Sequence, residues 1–454
     1  MLKFSNRDGR IFKNRSTFLL LLSALAVHAL ILIYSSRNPQ VMLTVDSHEY
    51  LSAARNLQAV GVLYAGDLSR PIQPALYSRR PPVYPFLLLA LLSISNNLII
   101  IIIFQILLNF LNLMLLQEIF FFLRLSPRWR IFLGALYLFY PAQLIYTHAV
   151  MTEIVLQTFL LLALFFIVRY LENGKIRGLF WCNLILAVAV FTKPVLLYFW
   201  IPLFFFHVWL AFRRGRQFIL LFPLIMLIPI TGWSFRNLQV TGYFHYSSIK
   251  NFNLLYYNTR YFLTRQYGPA YADSLITEVE KQAADQNFAD AQKTIQKFSI
   301  QTLWKHLPAY SFFHLRGTFF FFLDPGRYDV YQFFDYKSPR GFLFYLSRYG
   351  IKGIPILLFR LPLPIVLYLL VVALINLLLF VTLLYWIFKP AGSLPFKIFF
   401  YLVVGYIALV TGPIGASRFR IVLHPFLILP LPFLIKDILQ RMTKGKLVAF
   451  TKSE

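Results

Sequence analysis

The chain has 454 residues, of which 59% are hydrophobic and 13% are charged, and its mean hydropathy is +0.65. Charged residues make up about a quarter of a soluble domain, so the composition excludes an ordinary soluble domain and indicates an integral membrane protein. Its 44 Lys and Arg against 17 Asp and Glu give a net charge of +27, which here indicates membrane topology and anionic lipid rather than nucleic acid.

Apolar segments spread over nearly the whole chain predict an all-α helical bundle of about ten membrane spans. Basic residues from Lys3 to Arg15 precede the first segment and no small-residue cleavage site follows it, which predicts a retained helix with a cytoplasmic N-terminus. One membrane domain then covers 1–435, and 436–454 form a basic cytoplasmic tail. The predicted spans are 18–34, 98–123, 131–147, 154–171, 179–192, 195–211, 218–233, 363–388, 398–411 and 421–435.

Residues 84–95 are apolar but too short to cross a bilayer, because twelve residues make a helix of about 18 Å. If they crossed, the short basic loops that follow would face outwards, so the positive-inside rule predicts an interfacial or re-entrant segment. This leaves two large outer loops, about 35–83 and 234–354, that carry short helices. In the second, 274–298 have helical apolar periodicity, which predicts one amphipathic helix on the outer side.

The first outer loop begins with TVDSHEYLSAARNL, in which Asp46, Glu49, Tyr50 and Ala53 would share one face of a helix. Two carboxylates would then meet just outside the first span, where they could perform acid–base chemistry. The spacing of Asp46 and Glu49 also fits a capping box, which needs no catalytic role. The local pattern leaves both interpretations open.

Arg79 and Arg80 precede two prolines, which hold the backbone extended up to Tyr84. Guanidinium groups at headgroup depth can bind a lipid phosphate bidentately, or can anchor the loop to anionic headgroups. Further basic residues at predicted outer span ends allow either a phosphate-binding role or an ordinary one, such as snorkelling or ending a helix. They are Lys193, Arg236, Arg418 and Arg420.

Glu153 lies at a predicted outer helix end, where it could be functional or could interact with the helix dipole behind a Thr152 cap. With His148 nearby, the three residues Asp46, His148 and Glu153 would make a plausible divalent-cation site, although their spacing does not require a metal. The FFFFLDPGRYD stretch is interpreted as a turn without chemistry.

Together these residues resemble the multispan GT-C glycosyltransferases, in the branch that contains protein O-mannosyltransferases and lipid A aminoarabinose transferases. The resemblance extends in order and topology over about 10–435. One departure is that Ser47 follows Asp46, where better-known branches often have a second acid. The elements that carry the resemblance are Asp46, Tyr50 and Ala53, Arg80-Pro81-Pro82, Tyr84-Pro85, Glu153, Thr192-Lys193-Pro194, Arg236-Asn237, Arg418-Phe419-Arg420 and His424-Pro425.

The resemblance implies transfer of a hexosyl or pentosyl group from a polyprenyl-phosphate carrier to a glycan, lipid or protein acceptor. It implies an active site on the outer face of the plasma membrane and, normally, inversion. Asp46 would be the general base, and Glu153 a second acid that orients the acceptor or helps to bind a cation. The carrier phosphate would be bound by Arg80, Lys193 and Arg420, with Glu49, Tyr50, Arg79, Tyr84, Arg236 and Arg418 as further substrate contacts. The prenyl chain would enter beside 84–95.

Two other functions fit the same residue types. A transporter or flippase of lipid-linked sugar usually places ionisable groups near the bilayer midplane and often has internal repeats. Here nearly all acids lie in loops or at span ends and no repeat is evident, which favours the enzyme. A ligase or polymerase that uses a polyprenyl-diphosphate donor shares the chemistry and stays open.

Overall fold

The computed structural model describes residues 15–334, 361–390 and 392–450, and within these ranges it is helical without a β-strand. The predicted all-α class of a multipass membrane protein is confirmed. The basic residues predicted before Arg15, the end of the second outer loop at 335–354 and residues 451–454 of the tail lie outside the described residues.

The α-helices are numbered here in chain order. They are α1 (Arg15–Arg37), α2 (Val45–Val60), α3 (Val83–Ile94), α4 (Ile99–Phe122), α5 (Pro127–Leu138), α6 (Pro141–Thr147), α7 (Glu153–Asn173), α8 (Arg177–Val190), α9 (Trp200–Arg214), α10 (Leu224–Thr241), α11 (Ile249–Phe252), α12 (Tyr261–Tyr267), α13 (Pro269–Ala284), α14 (Phe288–Lys305), α15 (Leu307–Leu323), α16 (Arg327–Phe333), α17 (Leu363–Ile387), α18 (Leu394–Thr411), α19 (Ser417–Ile421), α20 (His424–Leu427) and α21 (Leu431–Phe450).

Six helical stretches among the described residues are long and apolar enough to cross a bilayer. Each overlaps a predicted span, and the total of about ten spans stays a prediction. The short apolar helix α3 has 12 residues and coincides with the segment predicted to be interfacial or re-entrant, a placement that stays a prediction. The six stretches are Arg15–Arg37, Ile99–Phe122, Glu153–Asn173, Gln217–Thr241, Leu363–Ile387 and Leu394–Thr411.

Two predicted spans are each divided between separate α-helices. Residues 131–147 are divided between α5 and α6, and residues 421–435 among α19, α20 and α21. Pro141 and Pro425 each lie in the first turn of a new helix, where a missing N–H is tolerated but the preceding helix cannot continue. α21 then runs through the predicted domain boundary at 435.

The prediction of one amphipathic helix over 274–298 is wrong, because α13 and α14 divide this segment. α13 ends at Ala284, and the Asn287 side chain caps α14 by accepting a hydrogen bond of 3.0 Å from the Asp290 N–H. A cap of this kind competes with continuing the helix, since the Asn287 backbone is extended. The two helices pack against each other.

The core of the bundle is built around α7, which contacts α4, α6, α8 and α18. Its side chains are mostly buried within the protein, whereas those of α1 mostly face outwards. α2 lies on α3, and the loop before α7 is joined to the segment before α2 by a hydrogen bond of 2.8 Å from the Val150 N–H to the Met42 carbonyl. The first turns of α2 and α7 are therefore held close together.

Candidate active site

The first two turns of α2 present two carboxylates that the helix itself does not use. Thr44 and Ser47 form the capping box, in which each side chain accepts a hydrogen bond from the other residue's N–H, at 3.2 and 2.8 Å. The alternative that Asp46 and Glu49 cap the helix is therefore wrong. Ser47 also donates to the Val150 carbonyl at 2.8 Å, which fixes this turn beside the start of α7.

Arg80 joins the two carboxylates of α2. Its Nη2 donates to Asp46 Oδ1 and its Nε to Glu49 Oε2, both at 2.6 Å, and its guanidinium lies 4.7 Å from the centroid of the Tyr50 ring. Arg79 also pairs with Glu49, at 3.1 Å. Two prolines follow, and the Val83 N–H then donates to the carbonyl at the end of α8, which holds this segment against the bundle.

Glu153 is fully buried at the start of α7 and accepts hydrogen bonds from two cations. Lys193 Nζ and Arg418 Nε each lie 2.8 Å from Glu153 Oε1. Thr152 makes no cap with its side chain, so the predicted Thr152 cap is wrong, and its hydroxyl lies 3.3 Å from Glu153 Oε2. Arg418 also pairs with Asp46 and so bridges the acids of α2 and α7.

Seven predicted site residues thus form one connected set, called here the ion network. It contains three carboxylates and four cations, so it carries one surplus positive charge although every cation contacts a carboxylate. Such a surplus at helix ends favours binding of an anion. The ion network consists of Asp46, Glu49, Arg79, Arg80, Glu153, Lys193 and Arg418.

The ion network keeps Asp46 ionised. Burial alone would raise the pKa of this carboxyl, but the guanidiniums of Arg418 and Arg80 outweigh burial and hold the pKa well below its usual range. A carboxylate with so low a pKa accepts a proton poorly, because basicity falls with pKa. Asp46 therefore becomes a stronger base only when something else takes its cations.

A cavity of about 80 Å³ adjoins Asp46 and Arg418 and contains a carboxyl that the sequence analysis missed. Asp329 in α16 lines it, is buried, and accepts hydrogen bonds from the hydroxyls of Tyr146, at 2.7 Å, and Ser417. Burial raises the pKa of Asp329 to about 6, although both hydrogen bonds oppose this. The acid lies in the stretch interpreted as a turn without chemistry, seven residues beyond the aromatic run that ends at Phe322, and no local pattern distinguishes it.

The raised pKa of Asp329 predicts a pH effect on stability. The folded chain holds this proton more tightly than the unfolded chain, so the stability that protonation provides below about pH 4 is lost as the pH rises to about 6, by about 3 kcal/mol. In Asp329→Asn, which cannot ionise, the thermal unfolding midpoint should fall less than in the wild type over this range. An unchanged pH dependence would mean that Asp329 has an ordinary pKa.

Other predicted site residues lie outside the ion network. Tyr84 donates to Gln105 at 3.2 Å and packs edge-on against the Tyr50 ring. Arg236 donates to the Tyr77 carbonyl at 2.9 Å. Arg420 is buried and donates to the Phe322 carbonyl at 2.9 Å and to the Tyr140 hydroxyl at 2.7 Å, so it joins helices rather than facing Asp46.

The suggested metal ligands are not brought together. His148 is buried, and its Nε2 lies 3.0 Å from Nδ1 of His28 in α1. Asp46 and Glu153 both pair with the Arg418 guanidinium, which occupies the place that a metal ion would need between them. In the part of the chain that the structure describes, no three His, Cys, Asp or Glu side chains are grouped so that they could hold a metal ion.

Part of the chain is similar to a known family of membrane proteins. Residues 79–233 match the sequence model of the dolichyl-phosphate-mannose-protein mannosyltransferase family. The match confirms the resemblance to GT-C glycosyltransferases, and it indicates a membrane glycosyltransferase with a polyprenyl-phosphate sugar donor. Of the ion network, the matched segment contains Arg79, Arg80, Glu153 and Lys193. Comparisons with curated proteins and with solved structures found no match.

Proposed function

We propose that the chain transfers a sugar from a polyprenyl-phosphate carrier to an acceptor hydroxyl on the outer face of the membrane, with inversion and with Asp46 as the general base. The observation that carries the proposal is the ion network, in which surplus positive charge surrounds a carboxylate at the edge of a cavity. A phosphate-linked donor needs positive charge to bind it, and the acceptor hydroxyl needs a carboxylate nearby to take its proton.

The proposed reaction does not need a general acid. The acceptor oxygen attacks the anomeric carbon, the bond from that carbon to the phosphate oxygen breaks, and the phosphate leaves with the electron pair. A phosphate needs no proton to leave, so the protein has to neutralise the developing charge and remove the acceptor's proton. In this proposal Arg80, Lys193 and Arg418 neutralise the charge, and Asp46 removes the proton.

Donor binding would itself activate the base. The phosphate oxygens compete with Asp46 for the guanidiniums of Arg80 and Arg418, which both contact the carboxylate in the structure. Weakening those contacts, and adding negative charge nearby, raises the pKa of Asp46 towards its ordinary range. Asp46 would therefore be a weak base in the free enzyme and a competent one beside a bound donor. Glu153 would keep Lys193 and Arg418 in place.

The proposed activity can be tested with the purified full chain in lipid vesicles. We expect a polyprenyl-phosphate hexose or pentose to be consumed and free polyprenyl phosphate to appear only when an acceptor is present. Movement of intact donor across the bilayer, without cleavage, would support the transporter instead. Consumption of a polyprenyl-diphosphate donor alone would support the ligase or polymerase.

The phosphate role of Arg80 predicts weaker donor binding in Arg80→Gln. A hydrogen bond between charged groups is lost, so the Kd for a polyprenyl-phosphate donor should rise about tenfold or more. Arg236→Gln makes the same change at a guanidinium that holds the Tyr77 carbonyl, and it should leave the Kd unchanged. Equal donor affinity in Arg80→Gln and the wild type would remove Arg80 from the phosphate site, provided that both unfold at similar temperatures.

A further inference from the structure

A long apolar groove runs along the outward-facing side of the bundle, between α1, α4 and the start of α5. It encloses about 1070 Å³ and extends along α1 from Thr17 to Leu32. Fifteen residues of helix correspond to about 22 Å, which exceeds the roughly 15 Å that one leaflet contributes to the hydrocarbon core. The groove can therefore hold a whole acyl chain. Leu25, Leu107 and Met114 are typical of its lining.

One end of the groove carries a cation with unused hydrogen-bonding capacity. Arg130 is the single charged residue among the described residues that line it, and its guanidinium is stacked 3.8 Å from the centroid of the Phe121 ring. Its Nε is buried and has no hydrogen-bond partner, and within the described ranges no carboxylate pairs with Arg130. A buried guanidinium donor usually has an acceptor, so this one indicates an anionic group that is supplied from outside.

The groove is separate from the ion network. Arg130 lies near the beginning of α1, whereas Asp46 follows the end of α1. Between them, one apolar cluster extends from Ile106, which lines the groove, to Tyr50, which lies under Arg80. A carrier whose phosphate met Arg80 would thus have its charged end at the wrong end of this groove.

We propose that this groove is a binding site for an anionic phospholipid of the leaflet opposite the ion network, with an acyl chain between α1 and α4 and the phosphate at Arg130. A neutral apolar ligand would leave the Arg130 donor unpaired, and a zwitterionic lipid, whose own ammonium group offsets its phosphate charge, would pair with it less strongly than an anionic one. By the predicted topology this leaflet is the cytoplasmic one. The site does not depend on the proposed sugar transfer.

The site can be tested by native mass spectrometry of the full chain in micelles that contain equal amounts of phosphatidylglycerol and phosphatidylcholine with the same acyl chains. The wild type should retain phosphatidylglycerol preferentially. Arg130→Gln should reduce that affinity about tenfold, because it removes a hydrogen bond between charged groups. Arg128→Gln is the matched control, since Arg128 is exposed and does not line the groove, and it should bind as the wild type does. Met114→Trp, which fills the groove, should lose bound lipid of both kinds.

Three results would overturn the proposal. An equal loss in Arg128→Gln and Arg130→Gln would indicate general attraction to a basic surface. Full retention of phosphatidylglycerol by Met114→Trp would place the lipid outside the groove. Displacement of phosphatidylglycerol by polyprenyl phosphate in the wild type but not in Met114→Trp would assign the groove to the carrier. The thermal unfolding midpoint of each variant shows whether it is folded.

Discussion

Replacement of Asp46 by asparagine is expected to reduce sugar transfer by a factor of about 100 to 10,000 while the chain stays folded. The loss follows because an amide cannot take the acceptor's proton. The fold should survive because Thr44 and Ser47, not Asp46, cap α2. The amide oxygen of asparagine can still accept a hydrogen bond from one of the two arginines that now hold the carboxylate.

The measurement is the initial rate of transfer with saturating donor and acceptor, together with the thermal unfolding midpoint. Glu49→Gln is the comparison, because it makes the same chemical change one turn further along α2, at a carboxylate that does not line the cavity. Its rate should fall much less than that of Asp46→Asn. A folded Asp46→Asn variant that transfers sugar at more than about a tenth of the wild-type rate would exclude Asp46 as the base.

The pH profile provides a second readout of the same residue. Activity requires ionised Asp46, so the rate should fall as the pH drops through the pKa of Asp46 in the donor complex. Because the bound phosphate competes for Arg80 and Arg418, this fall should lie at a higher pH than titration of Asp46 in the free chain. If the rate fell at the same pH at which Asp46 titrates in the free chain, donor binding would not release the carboxylate.

Most of the ion network could be predicted from the sequence because charge is scarce in this chain. An ionised side chain at the end of an apolar helix is expensive to bury alone, so Glu153, Lys193 and Arg418 are conspicuous as soon as the spans are placed. Their pairing could not be predicted, because it depends on how α7, α19 and the segment after α8 meet in space. The predicted metal set failed to assemble for the same reason: Arg418 occupies the position between its two acids.

Residues close together in sequence can have different roles for reasons of orientation. Arg418 and Arg420 are two positions apart in the short helix α19, yet one faces the acids and the other holds the Phe322 carbonyl. Helical periodicity predicts that the two side chains point in different directions. It does not predict which of them faces Asp46, because packing against α6 and α7 sets the rotation of α19 about its own axis. Asp329 was missed because a turn signal nearby offered a sufficient local explanation.

Breaking the buried ion pair of Lys193 and Glu153 should strongly reduce the stability of the fold. The Glu153 side chain is fully buried, and the Lys193 side chain is only 10% exposed. Lys193→Met leaves the carboxylate with Arg418 as its single remaining cation, so we expect a loss of about 3 kcal/mol in the free energy of unfolding. The midpoint of thermal unfolding measures the loss.

A double variant separates the structural contribution of this pair from its proposed role in donor binding. Glu153→Gln with Lys193→Met removes both charges, so the double variant should be more stable than Lys193→Met alone, as a double-mutant cycle would record. Donor affinity should not recover with it, because the cation proposed to face the phosphate is still absent. If stability and donor affinity recovered together, Lys193 would act only as the partner of Glu153, and the surplus charge that attracts the phosphate would have to come from Arg80 and Arg418.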